Sequence, residues 1–333
     1  MQYVKLGNAG IEVSRLALGC MDFPTRLGET EASKLVDRAM EMGVNLLDTA
    51  DTYEKGASEE ILGKILKGRR DRIILATKFW APMYDRPNGG GCSRVHIMQA
   101  VEDSLRRLRT DYIDLYQLHH PDPNTPVEEV LSTLDTLVKQ GKIRYVGVSN
   151  HYAWQMAHML GVSALHNWEP LVSIQCRYNI IDRVVENETV PFCERFNIGT
   201  LIYGPLSGGI LAGKIKKGEG FEEGSRLYRL KNYQKKLTDD VWSLLDGLRA
   251  IAEKNNIGMN QLAFLWLLSK PVVTTILMGG SKSEHFEPIY GLTDVQIDPE
   301  DLRKIDEISE QWRYQPFHNQ RMTHGAPPAE NWW

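Results

Sequence analysis

The stretch Asn45-Leu46-Leu47-Asp48-Thr49-Ala50-Asp51-Thr52-Tyr53 reads as the end of a buried strand running into a loop. An acid stands where the apolar run stops, and a tyrosine follows in the loop. A carboxylate at the edge of a packed core is costly unless paired, so Asp48 requires a partner elsewhere in the chain.

On the amino-terminal side, residues 6–13 predict a small hairpin about a glycine-containing turn, and Leu16-Ala17-Leu18-Gly19 a short apolar strand. Residues 30–42 predict a helix closed by Gly43. On the other side a helix over 58–67 leads to a strand, Ile73-Ile74-Leu75-Ala76-Thr77, that ends at Lys78. Ser93 can cap a helix whose Ile97, Val101, Leu105 and Leu108 keep helical spacing. The next strand, 112–118, ends at His119. Thr125-Pro126-Val127-Glu128 predicts a capping box with proline at the first helical position and a helix to Gln140. Strands over 143–148, 171–175, 200–203 and 272–278 then alternate with helices over 152–160, 186–196, 239–255, 261–268 and 283–290. A glycine- and lysine-rich stretch covers 204–236, and a last amphipathic helix covers 299–311.

Eight apolar strands separated by helices indicate a parallel sheet covered on its outside. Eight such units in one chain fit a closed (β/α)8 TIM barrel with an amino-terminal hairpin, a long loop after the seventh strand and a carboxy-terminal tail. A doubly wound open sheet is the competing arrangement, but no Gly-x-Gly-x-x-Gly follows any strand. No shift of composition divides the chain, so residues 1–333 are read as one barrel domain.

Composition narrows the function. Of 333 residues, 42% are hydrophobic and 25% charged, as in ordinary soluble proteins, and a net charge of -4 speaks against nucleic acid or anionic lipid as a partner. The longest apolar run, 262–268, is too short for a membrane span, and the first residues lack a signal peptide's apolar core. Cys20, Cys92, Cys176 and Cys193 are scattered and are read as reduced thiols, which points to the cytoplasm.

Polar residues gather at the strand ends: Asp48 after the second strand, Lys78 the third, His119 the fourth, Ser149-Asn150 the fifth, Gln175 the sixth, Tyr203 the seventh and Gly279-Gly280-Ser281-Lys282 the eighth. Singly, each has an ordinary reading as a cap, a solvated cation or a packing group. In a barrel those ends share one mouth, where active sites form. A phenol is a poor acid at neutral pH; a neighbouring ammonium favours its anion and makes it a usable proton donor. Lys78 can play that part for Tyr53, with Asp48 holding Lys78 and His119 orienting a carbonyl oxygen. No side chain here is a nucleophile with its own base, so the attacking group must be supplied, and a nicotinamide hydride is the simple choice.

Leu47-Asp48-Thr49-Ala50-Asp51-Thr52-Tyr53, Ala76-Thr77-Lys78, Asp114-Leu115-Tyr116-Gln117-Leu118-His119, Gly147-Val148-Ser149-Asn150 and Gly204-Pro205-Leu206-Ser207-Gly208-Gly209-Ile210-Leu211-Ala212-Gly213-Lys214 together resemble the aldo-keto reductase superfamily, over nearly the whole chain. The resemblance implies Tyr53 as general acid/base in a tetrad with Asp48, Lys78 and His119. It implies that Ser149, Asn150 and Gln175 bind the nicotinamide carboxamide and that Tyr203 stacks on its ring. Asp48, Cys20 and Met21 would lie near the nicotinamide ribose. The loop with Gly204, Pro205, Leu206 and Lys214 would fold over the pyrophosphate. Gly280, Ser281 and Lys282 resemble a 2′-phosphate segment, which favours NADP(H) over NAD(H). The pattern departs at His285, where the family commonly has Gln or Arg, and at Pro288 and Ile289, where it has Glu and Asn.

Trp80 matches a position that often walls the substrate pocket, and the loop from Tyr84 to Gly91 is expected over the mouth. If the strand persists to it, His120 is expected to alternate away from His119, so that the pair would not chelate one metal. The reading is a reductase of aldehydes or ketones acting on a small molecule, with no metal. Three alternatives stand: a sugar or alcohol dehydrogenase in the oxidative direction, a cofactor-binding regulatory subunit, and a metal-dependent hydrolase. The last would need more ligands than His119 and Asp48 provide. Substrate and oligomeric state are left open by the sequence.

Overall fold

A computed structural model describes residues 1–229, 231–280 and 283–313. Ser281, Lys282 and the tail from Tyr314 onward, including Trp332 and Trp333, lie outside the described residues.

The chain opens with an antiparallel hairpin, β1 (Tyr3–Lys5) and β2 (Glu12–Ser14), in which Tyr3 faces Ser14. Eight parallel strands follow: β3 (Leu16–Gly19), β4 (Leu46–Asp48), β5 (Ile74–Phe79), β6 (Ile113–Leu118), β7 (Ile143–Ser149), β8 (Leu171–Arg177), β9 (Gly199–Tyr203) and β10 (Thr275–Met278). They close as a barrel when β10 pairs with β3, Ile276 opposite Leu16. The outer layer holds α1 (Glu29–Glu41), α2 (Ala57–Ile65), α3 (Arg94–Leu108), α4 (Val127–Lys139), α5 (Ala153–His166) and α6 (Thr189–Phe196). After β9 come the short turns α7 (Arg226–Arg229) and α8 (Lys231–Gln234), then α9 (Asp239–Lys254), α10 (Met259–Leu268), α11 (Glu287–Tyr290) and α12 (Pro299–Ile308).

The strands lack polar alternation because both of their faces are buried. One face packs under the helices, as Leu47, Tyr116 and Val146 do. The other points into the barrel, where Ala17, Leu46, Leu115 and Leu201 meet Leu6 and Val13 of the hairpin. The hairpin therefore plugs the amino-terminal end of the barrel. Its turn is pressed against the wall: Gly7 has φ +57, and a Cβ there would lie 2.5 Å from Gly199 N. Only glycine fits both that conformation and that approach.

Several helix limits differ from the sequence reading. The capping box ahead of α4 does not form. Thr125 donates its hydroxyl to Asp122 Oδ2 (2.8 Å), and Pro126 occupies the N-cap position itself. Helix α5 runs past residue 160 through Gly161, where an added Cβ would meet no packing neighbour within 4 Å, and stops at Asn167, where φ is +54. A single interior glycine costs a helix only about 1 kcal/mol, so it did not end this one. The segment 283–290 is a 3-10 turn followed by α11 rather than one helix. Among the described residues no helix is long and apolar enough to cross a membrane. All four cysteines are free and buried.

Candidate active site

The carboxylate that needed a partner has three. Asp48 is 2% exposed at the end of β4. Its Oδ1 accepts from Lys78 Nζ at 2.6 Å, and its Oδ2 accepts from Gln117 Nε2 at 3.0 Å and Gln175 Nε2 at 2.8 Å. Register explains how residues so far apart in sequence meet: Lys78 stands opposite Gln117, and Asp48 opposite Ala76. Four strands thus each place one polar side chain in a single layer of the barrel interior, directly above the apolar plug. Burying an ion pair is tolerable only when the remaining lone pairs are also satisfied, and here they are.

Lys78 is fully buried and also donates to the Thr49 carbonyl (2.8 Å) and to Tyr53 OH (3.2 Å). Burial pushes its ammonium toward neutrality, but Asp48 and Tyr53 outweigh that, and its pKa ends above the ordinary lysine value. For Tyr53 burial acts first and pushes the phenol up; Lys78 pulls it down without reversing the direction. Lys78 thus acts in the expected direction, but burial outweighs it, and Tyr53 holds its proton firmly at neutral pH. His119 meets the Tyr53 ring edge-on, with centroids 5.8 Å apart. Burial, then Lys78 and His120, lower its pKa to about 2, so the imidazole is neutral.

The other predicted residues form a second group beside this one. Asn150, held at φ +60, donates to the His119 carbonyl (3.1 Å) and Ser149 Oγ (3.0 Å), and its Oδ1 accepts from Tyr203 OH (2.9 Å). Arg177 lies over the Tyr203 ring, 5.5 Å from its centroid. Such a ring, with amide and hydroxyl groups at its margin, suits a planar amide-bearing ligand such as nicotinamide. Cys20 is buried and its N–H donates to the Asp48 carbonyl (2.8 Å), while Met21 is exposed at the rim. From the loop after β9, Arg226 Nη2 reaches Met21 Sδ at 3.9 Å, and Gly224 O accepts from Arg26 Nη2 at 3.5 Å. The loop therefore forms a strap that spans the mouth from β9 to the segment after β3. Gly204 begins it at φ +67, Pro205 is buried, Leu206 half-buried and Lys214 exposed. At the far end Gly280 is close enough to His285 that a Cβ would lie 3.4 Å from Nδ1, and His285 is exposed. Ile289 is buried and Pro288 supplies only its carbonyl, to Gln261 Nε2 (3.0 Å).

Sequence reasoning missed Gln117 as a member of the Asp48 layer. Period-two alternation back from His119 could have found it. The strand does not persist to His120, so the alternation expected of it does not apply. Strand β6 ends at Leu118, so the rings of His119 and His120 stack at 5.1 Å, and His120 then packs on Trp80 at 4.8 Å. Trp80 itself has φ +139, a rare backbone for a bulky side chain. Among the described residues no three His, Cys, Asp or Glu side chains cluster as metal ligands. Tyr84 bonds Asp103 of α3 and so braces its loop on the outer layer. Trp312 packs on the core, its carbonyl accepting from Arg183 N. A cleft of about 960 Å3 lined by Arg69, Arg70, Tyr112 and Lys142 belongs to the other end of the barrel, where β5, β6 and β7 begin.

Comparison with known proteins agrees with this architecture. The model of the aldo/keto reductase family matches residues 15–310. The aldo-keto reductase YhdN of Bacillus subtilis is 35% identical over 99% of both chains. Versiconal hemiacetal acetate reductase of Aspergillus parasiticus is 31% identical, over 92% of this chain and 96% of that protein. A probable voltage-gated potassium channel subunit beta of Oryza sativa is 34% identical over the same shares. The chain belongs to the aldo/keto reductase family, oxidoreductases that interconvert carbonyl compounds and alcohols.

Proposed function

We propose that this protein reduces aldehydes or ketones to alcohols with NADP(H), NAD(H) being the second choice, and that Tyr53 delivers the proton. The observation that carries the reading is the hydrogen-bonded series from Gln117 and Gln175 through Asp48 and Lys78 to the Tyr53 hydroxyl. A bound reduced nicotinamide would supply the hydride, held by Ser149, Asn150, Gln175 and Tyr203. The neutral His119 imidazole orients the substrate by donating an N–H to the carbonyl oxygen. As negative charge develops on that oxygen, the Tyr53 proton passes to it. The phenolate left behind is stabilised by the Lys78 ammonium, which Asp48 keeps charged. Trp80 and His120 wall the approach and exclude water. In the reverse direction the same groups oxidise an alcohol, with Tyr53 taking the proton.

The test is a cofactor-consumption screen of NADPH and NADH against aldehydes, ketones and sugars, run on the wild type and Tyr53→Phe. The variant should lose at least about a hundredfold in kcat, the scale of general acid catalysis, while binding the cofactor almost normally. Full turnover by Tyr53→Phe would sink the mechanism. A second reading, a cofactor-binding regulatory subunit, is favoured by the likeness to the channel subunit. Tight cofactor binding with no turnover of any carbonyl would select it.

A further inference from the structure

Behind the tetrad, between the outer face of β5 and β6 and the helices α2 and α3, lies a second buried polar cluster. Asp51, Glu59, Thr77 and Tyr116 are each 0% exposed. Glu59 is fully engaged: Oε1 accepts from Thr77 Oγ1 at 2.6 Å and Oε2 from Arg107 Nε at 2.7 Å. Asp51 is not. Neither of its carboxyl oxygens has a hydrogen-bond partner of good geometry, and the adjacent Thr52 N–H favours the anion without aligning into such a bond. The buried Tyr116 hydroxyl is equally unpartnered.

This cluster supports the turn that carries Tyr53. Asp51 N–H donates to the Lys78 carbonyl (3.1 Å). Just beyond Tyr53, Glu54, Lys55 and Gly56 all have positive φ, at 49°, 54° and 96°. Such a run is strained and persists only where its surroundings hold it. What holds it is Arg107: a Cβ on Gly56 would lie 2.6 Å from Arg107 Cδ. The Tyr53 turn therefore sits on the arginine that Glu59 neutralises.

We propose that Asp51 is a positioning residue that seats the Tyr53 turn only as the neutral acid, and that alkaline loss of its proton unseats Tyr53. This rests on Tyr53 being the proton donor. The groups facing Asp51 are Glu59 from α2, Arg107 from α3, Lys78 from β5 and Tyr116 from β6, with the Thr52 N–H beside it on its own loop. Glu59 and Arg107 already balance. An Asp51 anion would be a second negative charge with no donor of its own, and it would compete for the guanidinium on which Gly56 packs. Burial first, then Glu59, raise the Asp51 pKa to about 8, against a weaker opposing pull from Arg107 and Lys78. The released proton goes to solvent.

The sign follows from linkage. The fold holds a proton that the unfolded chain releases near its ordinary value of about 4, so the stability tied to it falls as pH rises and is fully lost above about 8. Asp51→Asn keeps the shape and cannot ionise. Its thermal midpoint relative to wild type should rise between about pH 5 and pH 8 and then stay level. Its kcat at about pH 7 should stay within roughly threefold, and the alkaline fall in kcat should move up by at least about two pH units, because Tyr53 itself titrates above the ordinary phenol value. A midpoint difference that is the same at all pH values, or an unmoved alkaline fall, overturns the proposal. If no carbonyl is turned over, the reading of Tyr53 has failed, and the midpoint series still decides the state of Asp51. If Asp51→Asn does not fold, infrared difference spectra of the wild type between about pH 6 and pH 10 must show a buried carboxylic acid losing its proton. An absent band overturns the idea.

Discussion

Asp48 commits both oxygens to donors from β5, β6 and β8, which makes Gln117 as much a part of the site as the residues beside the substrate. Its amide fixes the plane of the Asp48 carboxylate, and that plane aims the other oxygen at Lys78. Gln117→Leu preserves volume and removes one donor from a buried anion. Loss of such a partner costs on the order of 1–3 kcal/mol, which predicts a lower thermal midpoint. It also predicts a fall in kcat of roughly tenfold, because Lys78 and Tyr53 lose their alignment. Cofactor affinity should change little. An unchanged midpoint together with unchanged kcat would show that Gln175 alone suffices. Asp48, Lys78 and His119 were legible because each ends an apolar run. Gln117 lies inside a strand, where a polar residue looks like an outward-facing one until the strand is known to be buried on both sides. Asp51 stands in the loop with nothing local to mark it as buried beside a second acid. Its neighbours Glu59 and Arg107 come from two helices whose facing is set by packing, not by local spacing.

At the scale of elements, the hairpin matters as a plug and not as an interaction edge. Its Leu6 and Val13 fill the space that the short strands β3 and β4 cannot fill with their own side chains. Gly7→Ala puts a Cβ 2.5 Å from Gly199 N and 2.7 Å from the carbonyls of Asn197 and Val172, all backbone atoms that cannot step aside. It also places alanine at φ +57. The expected loss is about 3 kcal/mol or more, since a clash and backbone strain act together. Urea unfolding would measure it. Well below the midpoint kcat should be near normal, because the plug lies at the opposite end from Tyr53. A full-stability Gly7→Ala would mean that the hairpin detaches freely. Element order was readable from the alternation of apolar runs and glycine stops. Element ends were less so, because local chemistry shifts them: Pro126 rather than Thr125 takes the N-cap position, and the Thr125 hydroxyl donates to Asp122 instead of serving in a capping box.

For the whole molecule, the closed barrel brings the strand ends to one mouth, and the strap from Gly204 onward crosses it. Barrel closure was legible from eight repeated units, while the path of the strap was not, because glycine- and lysine-rich sequence carries no periodicity. Its moorings are specific. Lys236 Nζ bonds Asp182 Oδ1 at 2.6 Å, Ser207 Oγ donates to Asp182 Oδ2 at 3.3 Å, and Tyr233 packs against Gly208, where a Cβ would lie 2.5 Å from its ring. Asp182 thus ties the two ends of the strap to one point. The Lys236–Asp182 pair is part-exposed, so Lys236→Ala should cost the fold about 1 kcal/mol or less. The same loss weighs more on the strap, whose opening is a local event of low free energy. Amide exchange in residues 204–238 should speed up several-fold, with exchange in β4 to β8 unchanged. If the strap closes over the dinucleotide, NADPH should also leave faster and its KM should rise. Where product release limits turnover, kcat would rise with it. Faster exchange with an unaltered cofactor off-rate would separate the strap from cofactor binding, and unaltered exchange would show that Tyr233, not Lys236, is the mooring.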